Sequence, residues 1–345
     1  MNFLILSPFD SDAPRGNSVA ACRLMDGLKS RGHSAIITAP DEIAEAEGKI
    51  RFRDGFTPDL ILVLHAYHCA DAVKILKKHS KIPILLSVRG TDANEMLDDR
   101  EKSVTILSSM RNADKIIVFA EDIRDGIVAR TGFPPEKFGI VPNGLEIPSS
   151  NTDFRKRLGI PPGAFVFGSL AGLREVKRPL LPLRCLSKIK DRFPQIFFMH
   201  AGPALEPKCA AEFLNFASQT DWVIHAGVIW HSETDSFLRA TDAYVSASRS
   251  EGMPHAVREA MYQGLPCMLS DIPGHRRIAG DSEALFFEGE DDFTEKALII
   301  LENCGLREKL AGKAATAMKK RISSADEIGD LLLLADEVLA VRQIP

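Results

Sequence analysis

Two glutamates in the second half of the chain have a spacing that could bring two carboxylates to one site. Glu251 lies just ahead of Pro254, and Glu259 follows Glu251 by eight positions, in an apolar run with helical character. Proline favours the first position of a helix, and eight positions are about two helical turns, so Glu259 returns to roughly the same face. The two carboxylates could therefore border one crevice.

The segment before these glutamates, residues 243–246, is short and apolar and predicts a buried strand. Glu251 then lies on the loop at the carboxyl end of a strand. Backbone N–H groups at the start of the next helix add a weak positive field there. Taken alone, the pair is also consistent with two surface glutamates, one capping a helix and the other solvated.

A basic turn provides a second candidate site. Arg174, Lys177 and Arg178 lie between a predicted strand, residues 165–170, and a helix expected over residues 178–193. Cations held near a strand end and a helix start can neutralise a diphosphate. The alternative is a solvated helix start, where basic residues are common.

Length, charge and cysteine use limit the class of protein. At 345 residues the chain is long enough for two α/β domains, each with its own core. The net charge of -4 is spread evenly along the chain, which argues against nucleic acid or a strongly anionic membrane as a partner. Six cysteines without a C-x-x-C pair favour free thiols in a reducing cytoplasm. No segment has the length of a signal sequence or a membrane span, so we expect a soluble, cytoplasmic protein.

Short apolar runs alternate with helical patterns from residue 3 to residue 320. This alternation is typical of doubly wound parallel sheets, and turn-forming residues interrupt it at 142–150. The sequence therefore predicts two α/β domains, residues 1–148 and 149–323, followed by a helix near the end of the chain. One of the helices expected in the first domain covers residues 93–110.

The residues around the two glutamates resemble a known signature. The run from Glu251 to Met261, followed by Gly264-Leu265-Pro266, is similar to the E-x(7)-E region of family 4 of the retaining nucleotide-sugar glycosyltransferases. The resemblance covers nearly the whole chain and is greatest to a compact branch, the "glycosyltransferase 1 domain-containing" proteins. Other segments that match family positions in order are residues 59–65, 141–144 and 226–228.

The resemblance implies the GT-B fold, an α/β architecture of two Rossmann-like, doubly wound domains that face a cleft. In that fold residues 324–345 form a helix that crosses back to the first domain. The resemblance also implies that Glu251 contacts hydroxyls of the donor sugar and that Glu259 binds the ribose. Arg174 and Lys177 then face the donor diphosphate, and Arg178 could replace one of them.

Further residues acquire roles by the same resemblance. Asp92 faces the transferred sugar and, with Glu251, Arg174 and Lys177, completes the set of expected catalytic residues. A helix N-cap is the alternative explanation for Asp92. His65 matches a histidine at a strand end and could support the site. Gly16, in the loop after the first strand, permits a close approach of ligand to backbone, although a plain turn would also place a glycine there. The remaining donor-binding residues are Gly252, Met253, Pro254 and Val228.

No metal ion and no cofactor is expected. Asp10 and Asp12 have the D-x-D spacing that metal-dependent glycosyltransferases of the other major fold use for a divalent ion. They lie directly after the first strand of an E-x(7)-E protein, however, where a solvated acidic loop is the simpler interpretation. No histidine–cysteine cluster has the spacing of metal ligands. Four histidines are assigned no role: His225, His231, His255 and His275.

We therefore expect a retaining glycosyltransferase that moves a sugar from a nucleoside-diphosphate sugar, of the uridine type, to a small-molecule, glycan or lipid acceptor. A nucleotide-sugar epimerase of the same architecture and a protein that binds nucleotide sugars without turnover are alternatives. Docking on a membrane is a further alternative, suggested by the basic residues within 74–81, which also fit a solvated helix end.

Overall fold

The computed structural model describes residues 1–9, 16–46, 49–88, 90, 92, 96–324 and 326–341. The chain divides into two compact units: Met1–Gly144 with Ala325–Pro345, and Leu145–Ser324. The sequence pattern predicts the corresponding limits at residues 148 and 323. Among the described residues, no helix has the length and apolar character needed to cross a membrane.

The structure describes eight strands in the first unit, and the four at the centre of its main sheet are apolar and almost wholly buried. Continuous apolar runs are expected when helices cover both faces of a parallel sheet, because neither face then meets water. The strands are β1 (Asn2–Leu6), β2 (Ser34–Thr38), β3 (Glu45–Ala46), β4 (Lys49–Ile50), β5 (Leu60–Val63), β6 (Ile84–Ser87), β7 (Lys115–Val118) and β8 (Phe138–Ile140).

Six of these strands form one sheet in the order β2-β1-β5-β6-β7-β8, and β3 pairs with β4 separately, in antiparallel orientation. Every pairing within the sheet is parallel, so the carboxyl ends of its strands share one edge. The helices described in this part of the unit are α1 (Gly16–Ser30), α2 (Ala70–His79), α3 (Arg100–Asn112) and α4 (Glu121–Thr131).

Of the helix expected over residues 93–110, the part from Arg100 onward is α3, and Met96–Asp98 form a short 3-10 turn instead. Asp99 explains this start. Its side chain accepts hydrogen bonds from the backbone N–H groups of Glu101 and Lys102. The first N–H groups of a helix have no acceptor inside it, so a side-chain oxygen at this position fixes where the helix begins.

The second unit repeats the alternation of strand and helix, as the sequence predicts. Its strands are β9 (Phe165–Leu170), β10 (Ile196–Ala201), β11 (Val223–His225), β12 (Ala243–Ser246), β13 (Cys267–Ser270) and β14 (Leu285–Phe287). Its helices are α5 (Phe154–Arg157), α6 (Leu180–Ser187), α7 (Pro207–Ser218), α8 (Thr234–Arg239), α9 (His255–Tyr262), α10 (Pro273–Arg276), α11 (Glu290–Glu302) and α12 (Cys304–Ser324).

These strands form a parallel sheet in the order β11-β10-β9-β12-β13-β14. Counted within the unit this is the order 3-2-1-4-5-6 of dinucleotide-binding folds, in which the direction of winding reverses between the first and fourth strands. Buried side chains cover both faces of the sheet in two apolar clusters. The reversal point between β9 and β12 is therefore held by a rigid core.

The C-terminal helix, α13 (Glu327–Val341), belongs to the first unit, as expected for a helix that crosses back. Leu331 and Ala335 are buried in the same apolar cluster as Phe3 of β1. At its start Glu327 accepts two hydrogen bonds of 2.8 Å from Arg23 of α1, with both side chains largely buried. The helix is thus fixed by an apolar face and by a bidentate ion pair.

Helix α13 provides a matched pair of leucines to test this packing. Leu331 is 1% exposed and Leu333 is 71% exposed. Leu331→Ala should lower the free energy of unfolding by about 2–5 kcal/mol, the cost of deleting a buried leucine side chain. Leu333→Ala should change it by less than about 0.5 kcal/mol. Urea unfolding followed by circular dichroism measures both, and equal effects would contradict the packing described.

Candidate active site

The carboxyl edge of the second sheet carries the candidate site. Strands β9 and β12 lie side by side, but the chain continues from β9 to β10 on one side and from β12 to β13 on the other. Loops that diverge in this way leave a crevice outside the strand ends, where ligands bind in doubly wound sheets. The loop after β9 holds residues 171–178, and the loop after β12 holds residues 247–254.

An ion pair joins these two loops. Lys177 Nζ donates to Glu251 Oε1 over 2.6 Å, and Ser248 Oγ donates to the same oxygen over 2.7 Å. The Lys177 and Glu251 side chains are only 16% and 14% exposed. Burial acts to raise the pKa of Glu251, but the charge of Lys177 and the two hydrogen bonds outweigh it, so this pKa lies below its ordinary value. Glu251 is therefore ionised at neutral pH.

The two oxygens of Glu251 differ in their surroundings. Oε1 accepts from both Lys177 and Ser248, whereas Oε2 has no hydrogen-bond partner within the described ranges. A carboxylate oxygen has two lone pairs and accepts hydrogen bonds only. The protein thus fixes one side of this carboxylate and leaves the other side able to accept from the hydroxyl of a ligand.

Arg174 precedes Lys177 by three residues in the same loop. Its Nε is buried without a hydrogen bond, and its guanidinium has no ion-pair partner in the part of the chain that the structure describes. The backbone beside it is fixed, because Leu173 is fully buried and donates its N–H to Pro203 O over 2.8 Å. A buried donor without an acceptor costs about 1–3 kcal/mol. Arg174 is therefore suited to a ligand that supplies an acceptor.

Arg178 differs from its expected place in a solvated helix. The helix predicted from residue 178 begins at Leu180, and Arg178 has a left-handed backbone with φ 47°. Its Nε donates to Ala247 O over 2.5 Å. Arg178 therefore ties the loop after β9 to the loop after β12, and this contact commits part of its guanidinium to the protein.

Glu259 lies on α9, with its side chain only 6% exposed. His231 Nε2 lies 3.1 Å from Glu259 Oε1. Because a carboxylate accepts only, Nε2 carries the hydrogen of this bond. Glu259 Oε2 has no hydrogen-bond partner among the described residues. Glu259 thus repeats the arrangement of Glu251, with one oxygen held and one available.

A buried histidine supports the strand ends beneath Glu251. His275 Nδ1 donates to Ser270 O over 2.8 Å, and its Nε2 lies 3.0 Å from Ser246 Oγ, which donates to it. Ser270 Oγ in turn donates to Ser248 O over 2.5 Å. Burial lowers the pKa of His275, so the ring is neutral in this network. The network joins β12 and β13 and fixes the backbone of the serine that holds Glu251.

The loop that carries Glu251 packs closely against α10. Arg277 donates to Gly252 O over 2.6 Å. A Cβ atom at Gly274 would meet Glu251 O at 2.3 Å, so glycine is required for this approach. The expected donor-binding residues that follow are placed by the same loop: Met253 packs on the core, and Pro254 is the N-cap of α9.

The loops after β10 and β11 meet beside this crevice. Gly202 N donates to Gly227 O over 2.8 Å. A Cβ atom at Gly202 would lie 2.0 Å from Ala171 O, so this glycine also brings the loops after β9 and β10 together. Val228 follows Gly227 and is 50% exposed. The loop therefore presents an apolar side chain at the same edge of the sheet as Glu259.

The expected residues of the first unit lie at the carboxyl ends of its strands. Gly16 is the first residue of α1 and is exposed. Asp92 is fully buried, and its oxygens accept from the backbone N–H groups of Ala66 and Gly90 over 3.0 Å each. His65 Nδ1 lies 3.8 Å from Asp92 Oδ2. A catalytic role for Asp92 stays a prediction, and in the structure it fastens two loops.

Some expected features lie outside the described residues. These are the aspartates of the D-x-D pair and the start of the predicted helix over residues 93–110. Within the described ranges, no group of three or more histidine, cysteine, aspartate or glutamate side chains could hold a metal ion. The expected features that lie outside the described residues are thus Asp10, Asp12 and residues 93–95.

The sequence singles out Glu251, Glu259, Arg174 and Lys177 as candidates, but it gives no sign of most of the residues that hold them. His231 and Glu259 are 28 positions apart, and Ser246 and His275 are 29 positions apart. No local periodicity connects such distant positions, so only the pairing of strands brings them together. A weak signal existed for Ser248, which is close to Glu251 in the chain.

The ion pair predicts a stability that depends on pH. In Lys177→Met, burial acts on Glu251 without its counter-charge, so the pKa of Glu251 should rise above its ordinary value. We expect the variant to lose about 3–5 kcal/mol at pH 7, the scale for breaking a buried pair. In the wild type, the contribution of Glu251 is present above its unfolded pKa of about 4.3 and is lost as pH falls through the lower folded pKa. The difference between the two proteins should therefore shrink on acidification from pH 7 to pH 4.

Tryptophan fluorescence measures this effect in the second unit, because both tryptophans, Trp222 and Trp230, belong to it. Lys188→Met is the matched control, since Lys188 is 48% exposed and pairs with the exposed carboxylates of Glu290 and Asp291. It should change stability by less than about 1 kcal/mol at either pH. A loss in Lys177→Met that is the same at pH 7 and pH 4 would contradict the assigned charge states.

Comparisons with known proteins fit this geometry. Residues 150–317 match the family described as Glycosyl transferases group 1. "Glycosyltransferase 1 domain-containing protein 1" of Xenopus tropicalis is 27% identical over 312 residues, with 88% of each chain covered. An Escherichia coli protein, "UDP-Gal:alpha-D-GlcNAc-diphosphoundecaprenol alpha-1,3-galactosyltransferase", is 29% identical over 188 residues, which cover 50% of this chain and 44% of that protein.

Among solved structures, Anabaena Alr3699/HepE in complex with UDP and glucose is similar with a TM-score of 0.73 and 17% identity. The match covers 97% of this chain and 98% of that one. At this identity the likeness establishes the fold, and the expected GT-B architecture with its C-terminal helix is confirmed. The chain thus has the GT-B fold, and its residues 150–317 are similar to the Glycosyl transferases group 1 family.

Proposed function

We propose that this protein is a retaining glycosyltransferase that uses a uridine-diphosphate sugar and requires no metal ion. The observation that carries the proposal is the unpaired, buried Nε of Arg174 in the loop that also supplies Lys177. Two cations at the reversal point of a doubly wound sheet suit the diphosphate of such a donor. The acceptor is a small molecule, a glycan or a lipid.

Glu251 and Glu259 each have one carboxylate oxygen bonded to the protein, and with the other oxygen they bind the two sugar rings of the donor. Glu251 Oε2 accepts from hydroxyls of the transferred sugar, and Glu259 Oε2 accepts from hydroxyls of the ribose. In both residues the other oxygen is already fixed by the protein. An acceptor fixed in this way loses little conformational entropy when a ligand binds. Gly252, Met253 and Val228 line the same donor site.

The names of two similar proteins support a uridine donor. The Escherichia coli relative is named as a UDP-Gal transferase, and Anabaena Alr3699/HepE was solved with UDP and glucose. We carry this nucleotide over to the present chain as part of the proposal. Gly16 and Asp92 are proposed to border the acceptor side, where Asp92 would act by fixing the loops that meet the transferred sugar.

Retention follows from a transfer on one face of the sugar. The acceptor oxygen bonds to the anomeric carbon as the bond from that carbon to the phosphate oxygen breaks. The departing diphosphate accepts the proton of the acceptor hydroxyl on the same face, so charge and protons balance without a protein nucleophile. Arg174 and Lys177 stabilise the charge on the leaving diphosphate, which is greatest in the transition state.

An activity assay separates this proposal from epimerisation and from binding alone. We incubate the protein with individual UDP-hexoses, with water as the acceptor, and follow the products by proton NMR. A retaining transferase should release UDP and a hexose whose first-formed anomer is α, as in the donor. A hexose of changed ring configuration would favour an epimerase, an initial β anomer would contradict retention, and no UDP release would favour a binding protein.

In the same assay Glu251→Gln should lower kcat by about ten- to a hundredfold, the scale for losing one charge-assisted hydrogen bond. Glu288→Gln is the matched control on an exposed glutamate and should leave kcat unchanged.

The assignment of the two cations predicts independence from divalent ions. Activity should survive a chelator, because Arg174 and Lys177 neutralise the diphosphate. Arg174→Ala or Lys177→Ala should lower kcat by about a hundredfold or more, the scale for removing one preorganised donor. Lys188→Ala, which removes an exposed cation of the same unit, should have no such effect. Activity abolished by the chelator and restored by magnesium or manganese would contradict the assignment.

A further inference from the structure

His231 is held on a rigid turn next to Glu259. The turn follows β11, and the chain ahead of it is fixed at two points: Ala226 N donates to His200 O over 2.8 Å, and Ile229 is buried in the core. His231 begins the short 3-10 turn that ends at Glu233. The imidazole therefore projects from a backbone that cannot move freely.

The far side of the same turn is fixed by a charge. Glu233 Oε1 accepts from Arg157 of α5 over 2.7 Å, and Glu233 N donates to Trp230 O over 2.9 Å. The His231 side chain is 25% exposed, whereas the Glu259 side chain that it contacts is 6% exposed. The turn thus brings a partly solvated donor to an almost wholly buried acceptor.

This contact decides which oxygen of Glu259 is available. A glutamate side chain has three rotatable bonds, and a carboxylate can present either oxygen to a ligand. The hydrogen bond of 3.1 Å from His231 Nε2 holds Oε1, and Oε2 has no partner in the described part of the chain. An ionised acceptor roughly doubles the strength of such a bond, which favours one orientation of the carboxylate over the others.

We infer that His231 is the positioning residue for nucleotide binding: it orients Glu259 so that Oε2 accepts from the ribose hydroxyls of a nucleoside diphosphate. This inference rests on the ribose-binding role proposed for Glu259. His231 acts through Glu259 and takes no part in the bond-breaking step. Its loss should therefore weaken donor binding and raise KM, with kcat at saturating donor unchanged.

The probe is a pair of ligands that differ only in the ribose, UDP and 2′,3′-dideoxy-UDP. Calorimetry gives the ratio of their Kd values for each protein, and this ratio isolates the hydroxyl contacts. The wild type should bind UDP at least about tenfold more tightly than the dideoxy form. His231→Leu should reduce that ratio to about threefold or less. His231→Gln, whose amide can donate to Glu259, should restore most of it.

Glu259→Gln separates the role of His231 from the role of Glu259. A reduced ratio in Glu259→Gln together with a wild-type ratio in His231→Leu would overturn the role of His231 and leave the ribose assignment intact. An unchanged ratio in Glu259→Gln would overturn the ribose assignment and the inference with it. Equal weakening of both ligands in His231→Leu would indicate a general structural role and also overturn the inference.

Folding is checked on the same samples. His79→Leu is the control for replacing a histidine, because His79 ends α2 in the other unit, and it should keep the wild-type ratio. If His231→Leu fails to fold, His231→Gln and Glu259→Gln still decide the matter. A ratio in His231→Gln as low as that in Glu259→Gln would contradict positioning by a hydrogen-bond donor.

Discussion

The candidate site depends on one interaction, the nearly buried ion pair between Lys177 and Glu251. Removing two charges from water is costly, and the cost is offset only when the charges meet at short distance with further hydrogen bonds. Here the distance is 2.6 Å and Ser248 adds a second donor to the same oxygen. Because the two residues come from loops that leave the sheet in opposite directions, the pair also closes the crevice between β9 and β12 at one point.

The residues around the ion pair hold its two loops in place. Ser248 must be fixed to hold Glu251, and the neutral His275 fixes the strand ends from which it comes. Arg178 ties the same two loops through Ala247 O, while Arg174 alone among the cations of this turn keeps a buried donor without an acceptor. Glu259 repeats the pattern of Glu251 with His231 as its donor. The edge thus combines fixed carboxylates with an unsatisfied cation, as recognition of a polyhydroxylated anion requires.

The sequence predicted the parts of this account that are local. Apolar runs located the strands of the two main sheets, and the eight-residue spacing predicted that Glu251 and Glu259 border one crevice. Features that depend on distant contacts could not be predicted: the bond from His231 crosses 28 positions, and Lys177 and Glu251 are 74 positions apart. Helices α3 and α6 begin after the positions that periodicity predicts, and both differences have local causes. Asp99 accepts hydrogen bonds from the first N–H groups of α3, which fixes the start of that helix at Arg100. The left-handed backbone of Arg178 is not helical, so α6 begins after it.

Hydrogen–deuterium exchange with saturating UDP tests most directly whether this edge is the nucleotide site. If UDP binds at this edge, exchange should slow in three segments of the second unit: residues 171–178, 226–231 and 251–259. Residues 50–58 of the first unit, which line an unrelated surface groove, should exchange as before. Unchanged exchange in all three segments, in a sample to which UDP binds by calorimetry, would contradict the site proposed for the nucleotide.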